Sequence, residues 1–219
     1  MTFLIVLKLD ASLATEYEVT ADDFVAGLRY VSDPANDASS FSTIRNVIAG
    51  LSDYYYNLVD IDEGTDIGMT RDEALAKFDE MVGIKAIDKY TVEYTLSGPY
   101  SYFLSFAQLD LLLPLEQAFY DEVGEDFATD KDKMLYNGAF YISTWDRDKQ
   151  ILMTKNPYYW DVDNVNITTL SFEYVADSSA SIEMFKRGDL SKVDLSSQDV
   201  QTLDGTEWAE ITQVGVQDI

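Results

Sequence analysis

The stretch Tyr136–Asp161, YNGAFYISTWDRDKQILMTKNPYYWD, constrains the fold more tightly than any other part of the chain. Asn137-Gly138 tolerates positive φ and so suits a turn. Ala139–Trp145 and Ile151–Lys155 read as two strands, with Asp146-Arg147-Asp148-Lys149 as a solvated hairpin turn between them. Asn156-Pro157 then ends the ladder, because proline has no N–H to donate. Tyr158, Tyr159 and Trp160 follow directly and read as an aromatic clamp on the hairpin.

A chain of 219 residues suffices for one large or two small domains, at about 100–200 residues each. With 47% hydrophobic and 13% aromatic residues it can bury a substantial core. Its 15 Lys+Arg against 40 Asp+Glu leave a net charge of −25. Such a surface repels phosphate backbones and anionic headgroups, so neither nucleic acid nor a membrane surface is an expected partner. The charge serves solubility first.

Cysteine and histidine are both absent from the sequence. The first rules out disulfides, thiolate nucleophiles and cysteine-based zinc sites. The second excludes Ser-His-Asp and Cys-His machinery, the H-E-x-x-H zinc motif and histidine proton shuttles. The apolar run Phe3–Leu7 is too short for a signal h-region and lacks a basic segment before it. Thr2–Leu9 reads as a strand instead, and no run approaches the ~20 apolar residues of a membrane span.

Along the chain, helices and strands alternate. Thr20 caps a helix whose first turn carries Asp22 and Asp23, with Phe24, Leu28 and Val31 on one face. Ser32–Ser40 is a turn-rich loop. Ile44, Val47, Ile48 and Leu51 mark a second helix ending near Tyr54-Tyr55-Tyr56, before an acidic loop from Asp60 to Gly68. Thr70-x-x-Glu73 is a capping box for a third helix through Leu75, Phe78 and Met81, stopped at Gly83. Ile84–Ile87 and Tyr90–Leu96 read as a hairpin across Asp88-Lys89, and Tyr100–Leu113 as initially helical. Leu170, Phe172 and Tyr174 alternate with polar residues as in a half-buried strand. Asp177–Arg187 reads as a helix capped by Asp177 and ended by Gly188, and Val193–Leu195 and Ile211–Val216 as further strands. The polar stretch Glu125–Lys133 suits a connection between a helix-rich part and a strand-led part.

Few motifs carry chemistry. Asp60, Asp62, Gly64 and Asp66 imitate a calcium loop, but Thr65 and Arg71 stand where glycine and glutamate are needed, so a solvated acidic loop is the reading. Asp22-Asp23, Asp121-Glu122 and Glu125-Asp126 are adjacent carboxylates of the type a glycosidase uses, although neighbours on a helix point apart. The default for them is helix-end charge. Tyr54-Tyr55-Tyr56 and Tyr158-Tyr159-Trp160 suit either core packing or stacking on a ligand, with core packing favoured. No metal site, cofactor or catalytic residue is expected.

Five blocks in order carry a family resemblance: VTADDFVAGLRY (19–30), GIKAIDKYTVEYTLSGPYSYFLSF (83–106), YNGAFYISTW (136–145), KNPYYWD (155–161) and DSSASIEMFKRGDLSKVDLS (177–196). Together they resemble the extracellular oligopeptide-binding proteins of ABC transporters, the family 5 solute-binding proteins. The resemblance implies an α/β (mixed α+β) chain with a periplasmic-binding-protein-like type II fold, incomplete, with helices packed on mixed sheets. Residues 1–135 would be part of the extra domain specific to peptide binders, and residues 136–219 part of the first main lobe. The second lobe would be absent, as would the signal peptide and lipobox, so a truncated member is expected.

By the same resemblance the protein is a non-enzymatic substrate-binding component of an ABC importer. It would capture peptides outside the membrane and deliver them to the permease and its ATPase subunits. The expected location is extracytoplasmic, in the periplasm or on the outer face of the cytoplasmic membrane, held only by a lipid anchor missing from this chain. A monomer is expected. The loop Ser39-Ser40-Phe41 occupies a place where relatives can offer an aromatic to the ligand, so these three residues are the candidate ligand-binding positions. Two alternatives stay open: the same fold binding a nickel chelate, haem or sugar, and a fragment of a carboxylate-based glycoside hydrolase.

Overall fold

The computed structural model describes residues 2–6, as backbone, and 17–213. The chain divides into two compact units. Unit 1 is Met1–Asn137 with Pro157–Asn164, and unit 2 is Gly138–Asn156 with Val165–Ile219.

Unit 1 opens with strand β1 (Thr2–Val6), followed by helix α1 (Ala21–Val31). Thr20 donates its backbone N–H and its hydroxyl to the Asp23 carboxylate at 2.6 and 3.1 Å, which fixes the start of α1. Next come α2 (Ser42–Arg45) and α3 (Leu51–Asp62). The single helix expected from Ile44 to Leu51 is therefore broken. Val47–Gly50 leaves the helix to hydrogen-bond elsewhere: Ser97 N–H reaches Val47 O at 2.9 Å, Ala49 N–H reaches Thr95 O at 3.0 Å, and Gly83 N–H reaches Ala49 O at 2.8 Å. These long-range bonds outweigh the apolar periodicity, and Gly50 makes the corner at φ 73°.

Helix α3 continues through the tyrosine run to Asp62, so Asp60 and Asp62 lie in its last turn, not in a loop. The capping box at Thr70 forms as expected, with Thr70 N–H on Glu73 Oε2 at 2.8 Å and Glu73 N–H on Thr70 Oγ1 at 3.3 Å. The helix it opens is shorter than expected: α4 (Arg71–Leu75) stops, and α5 (Phe78–Met81) restarts after a turn tightened by Lys77 N–H on Ala74 O. Strands β2 (Ile84–Asp88) and β3 (Thr91–Thr95) complete an antiparallel sheet ordered β1-β3-β2. Short helices α6 (Phe103–Phe106) and α7 (Gln117–Val123) follow. The core collects Leu28, Ile44, Ile48, Leu51, Tyr54, Leu58, Phe78, Ile84, Val92, Tyr94 and Phe103, all buried. Tyr158 and Trp160, in the returning segment, are exposed, so the expected clamp is not a buried one.

Unit 2 contains the hairpin β4 (Phe140–Asp146) and β5 (Gln150–Lys155) with β6 (Thr169–Glu173) beside β5, all antiparallel. The positive φ falls on Asp148 in the hairpin turn and not on Asn137 or Gly138. Asn156 closes the hairpin end: its N–H meets Ala139 O at 2.8 Å and its side-chain amide meets Gly138 O at 3.0 Å. Helix α8 (Ser178–Lys186) is capped by Asp177, which accepts from Ala180 N–H at 2.8 Å, and ends at Gly188. Helix α9 (Ser197–Leu203) carries its own capping box from Ser196 to Asp199. Val193–Leu195 belongs to none of the described strands. Ile211 ends a 3₁₀ turn, Glu207–Ile211, and residues 214–216 of the expected last strand lie outside the described residues, as do 7–9 of the first.

Candidate functional site

The loop before α2 is built from short-range polar contacts. Asp33 accepts from Ala35 N–H at 3.0 Å ahead of a 3₁₀ turn, Pro34–Asn36, and the Asn36 amide donates to Tyr30 O at 2.8 Å. Asp37 and Ser40 both adopt left-handed φ, at 43° and 65°. For residues with a Cβ this costs of order 1 kcal/mol each, and it persists only where the surroundings impose it. The Ser40 carbonyl takes the Thr43 N–H at 2.9 Å, and the Phe41 carbonyl takes Ile44 and Arg45 N–H at 3.2 and 3.1 Å.

This backbone sends the three candidate residues different ways. Ser39 and Ser40 face solvent. Phe41 turns inward, 5% exposed, with its ring 5.0 Å from that of Tyr55 at 37°. The tyrosine run on α3 is split in turn by the ~100° step between successive helical residues. Tyr54 enters the core and packs edge-on against Phe78 at 5.2 Å. Its hydroxyl has no hydrogen-bond partner among the described residues, and burial pushes it up to about 12. Tyr55 is half-buried, and Tyr56 is 46% exposed.

Arg45, at the end of α2, lies over both outer rings, its Cζ 5.4 Å from the Tyr55 centroid and 4.8 Å from that of Tyr56. The result is a contiguous cluster of Phe41, Tyr55, Tyr56 and one guanidinium beside two exposed serines. It offers aromatic faces and N–H and O–H donors, suited to holding a ligand and not to proton transfer. Spacing along the sequence could not have joined Phe41 and Arg45 to α3, because the break at residues 46–50 is a tertiary effect.

The acidic pairs disperse. Asp23 is buried in its cap, where burial raises its carboxyl above the usual range against the opposing pull of the Thr20 bonds. Asp121 accepts from Gln117 at 2.8 Å, Glu122 from the Tyr17 hydroxyl at 2.9 Å, and Asp126 pairs with Lys133 at 3.7 Å. Asp62 shares Arg71 with Asp33, which raises the Arg71 guanidinium further. Among the described residues no group of three or more acidic side chains is arranged to hold a metal. No described helix is long and apolar enough to cross a membrane.

Comparison with known proteins gives this arrangement its context. Residues 15–215 match the family profile described as bacterial extracellular solute-binding proteins, family 5, middle. The chain is 34% identical over 205 residues to the oligopeptide-binding protein SarA of Streptococcus gordonii, covering 90% of this chain and 28% of SarA. It is 34% identical over 200 residues to the oligopeptide-binding protein AliA of Streptococcus pneumoniae, covering 87% of this chain and 27% of AliA. It thus spans between a quarter and a third of the length of these relatives. Among solved structures, Listeria monocytogenes OppA bound to peptide superposes with a TM-score of 0.71 at 28% identity, over 94% of this chain and 37% of that one. An oligopeptide ABC transporter substrate-binding domain from Bacillus anthracis gives 0.72 at 22% identity, over 94% and 36%. The described fold, a partial one with helices and antiparallel sheets, is that of these proteins, and the chain belongs to the bacterial extracellular solute-binding proteins of family 5.

Proposed function

We propose that this chain is part of the substrate-binding component of an ABC importer, one that captures peptides outside the cytoplasmic membrane and passes them to a permease driven by ATPase subunits. The observation that carries the reading is the match over nine-tenths of the chain to relatives named as oligopeptide-binding proteins. On this reading residues 1–135 are most of the peptide-binder-specific domain and residues 136–219 are part of the first main lobe. The protein works as a monomer, performs no catalysis and resides in the periplasm or on the outer face of the cytoplasmic membrane. An extended peptide is held through its backbone hydrogen-bonding groups, so affinity comes with little side-chain selectivity. Ser39, Ser40 and Phe41 belong to the ligand side of unit 1, with Phe41 acting through its contact with Tyr55. The dispersal of the carboxylate pairs into caps and ion pairs leaves the hydrolase alternative without support.

The test is native mass spectrometry of the protein expressed from its complete reading frame, after incubation with a mixture of short peptides. Retention of peptides is expected. If none is retained, while a nickel chelate, haem or a sugar raises the melting temperature, the peptide reading is overturned.

A further inference from the structure

Arg45 differs from the other described arginines of unit 1, Arg29 and Arg71, which each meet a carboxylate. Lys77, Lys89, Lys131 and Lys133 do so too, whereas Lys85, like Arg45, does not among the described residues. Arg45 meets none among the described residues, in a chain with 40 acidic residues against 15 basic ones. Scarcity of acids cannot explain this. The guanidinium carbon instead lies over the rings of Tyr55 and Tyr56, and its Nε is buried with no hydrogen-bond acceptor among the described residues.

Attraction of the guanidinium charge to a ring supplies no oxygen acceptor to its N–H groups. Arg71 shows such groups in use: its Nε donates to Asp62 at 2.8 Å and its Nη2 to Asp33. A buried donor without an acceptor is costly, and a planar two-oxygen acceptor is the partner whose geometry fits a guanidinium edge. The nearer ring, Tyr56, is 46% exposed, so it is the wall able to swing aside and admit such a group.

We propose that Arg45, walled by Tyr55 and Tyr56, is a seat for a ligand carboxylate. Resting on the peptide reading above, the carboxylate is that of a peptide, from its C-terminus or from an acidic side chain. In a protein carrying −25 overall, this local cation offsets the general repulsion of anionic ligands at one point.

The Nε–Hε resonance of Arg45 reports directly on the seat. It is followed by NMR in the 15N-labelled chain and assigned with Arg45→Lys. The probes are sodium acetate, trialanine, trialanine amide and Ala-Glu-Ala amide. A saturable shift is expected with acetate and trialanine, and none with trialanine amide. A shift with Ala-Glu-Ala amide adds side-chain carboxylates to the acceptable sources. Arg45→Lys, which keeps the charge but loses the planar edge, should weaken trialanine binding about tenfold by calorimetry, and Arg45→Gln should weaken it further. Equal shifts with trialanine and its amide, or no shift with any probe, overturn the seat. Peptides that bind the chain without moving Arg45 overturn the seat and leave the peptide reading standing. Acetate that moves Arg45 when no peptide binds does the reverse.

Discussion

The two sheets, β1-β3-β2 in unit 1 and β4-β5-β6 in unit 2, each have three antiparallel strands, yet they differ in what covers them. In unit 1, Ile84, Val92 and Tyr94 are almost fully enclosed by the helices around them. In unit 2, strand register aligns Trp145, Ile151 and Phe172 in one row and Ile142, Met153 and Leu170 in the next, on a single apolar face. None of these six is buried, and Phe172 and Tyr174 are 57% and 66% exposed. Among the described residues of unit 2, only Ile182 and Leu203 are buried apolar side chains. The hydrogen-bond ladder and the alternation that specify a sheet are present in both. The burial that stabilises one, at about 25 cal/mol per Å², is realised only in unit 1. An open apolar face fits the proposal that unit 2 is part of a larger lobe.

The strongest test of this contrast deletes one large side chain from each unit. Phe78→Ala should destabilise unit 1 by about 3–5 kcal/mol, because Phe78 is enclosed between Tyr54 and Arg29. Phe172→Ala should change unit 2 by less than about 0.5 kcal/mol, as expected at an exposed position. Denaturant unfolding, followed by hydrogen exchange resolved for each unit, would measure both. A comparable loss at Phe172 would mean that its face is covered in solution.

A second pair uses the backbone. Gly50 and Gly188 share left-handed φ, 73° and 83°, but an added Cβ at Gly50 would lie 1.8 Å from Met81 O, whereas at Gly188 it would meet nothing within 4 Å. Gly188→Ala should therefore cost only the conformational penalty of about 1–2 kcal/mol. Gly50→Ala should cost roughly 3 kcal/mol or more, since the clashing atom is backbone. Equal midpoint shifts would show that residues 46–50 yield as readily as the end of α8.

Legibility in the sequence follows the same divide between local and tertiary causes. The caps at Thr20, Thr70 and Asp177, the hairpin β4–β5 and the stop at Asn156-Pro157 were readable because neighbouring residues determine them. The break at Val47–Gly50 was not, since its cause is hydrogen bonds to Thr95, Ser97 and Gly83. The exposure of Phe172 and Tyr174 was equally hidden, because alternation shows which residues share a face and not whether anything covers it. At the candidate site the Ser39–Phe41 loop is legible only through the family resemblance. The ring contact of Phe41 with Tyr55 and the cation–π contacts of Arg45 with Tyr55 and Tyr56 join α2 to α3 across that unreadable break.

Enclosure in unit 1 also leaves an opportunity for improvement. The Tyr54 hydroxyl is buried without a partner among the described residues, so Tyr54→Phe removes a desolvated donor while keeping the ring against Phe78. The substitution should be neutral or raise stability by about 1 kcal/mol, read as a melting temperature that stays or rises. A clear drop would indicate that the hydroxyl finds an acceptor in solution.

The smallest effect gives the most controlled comparison, because the two units contain the same device in different surroundings. Asp23 closes the box at the start of α1, accepting from Thr20 N–H and Oγ1, and Asp199 closes that of α9, accepting from Ser196 N–H at 2.9 Å and Oγ at 2.6 Å. Burial raises Asp23, helped by the negative charges of Glu116 and Asp22, whereas the Ser196 bonds lower Asp199. A raised folded value means that the contribution of Asp23 is complete below its unfolded pKa of about 3.9 and is lost as pH rises through the folded value. A lowered one means that the contribution of Asp199 is present above about 3.9 and is lost as pH falls through the folded value. Asn at either position keeps an acceptor for the cap and abolishes the titration. The stability difference between wild type and Asp23→Asn should therefore shrink with rising pH, while that for Asp199→Asn should grow, both measured as urea midpoints from about pH 3 to 7. Slopes of the same sign at both caps would mean that burial does not distinguish the two units at their helix starts.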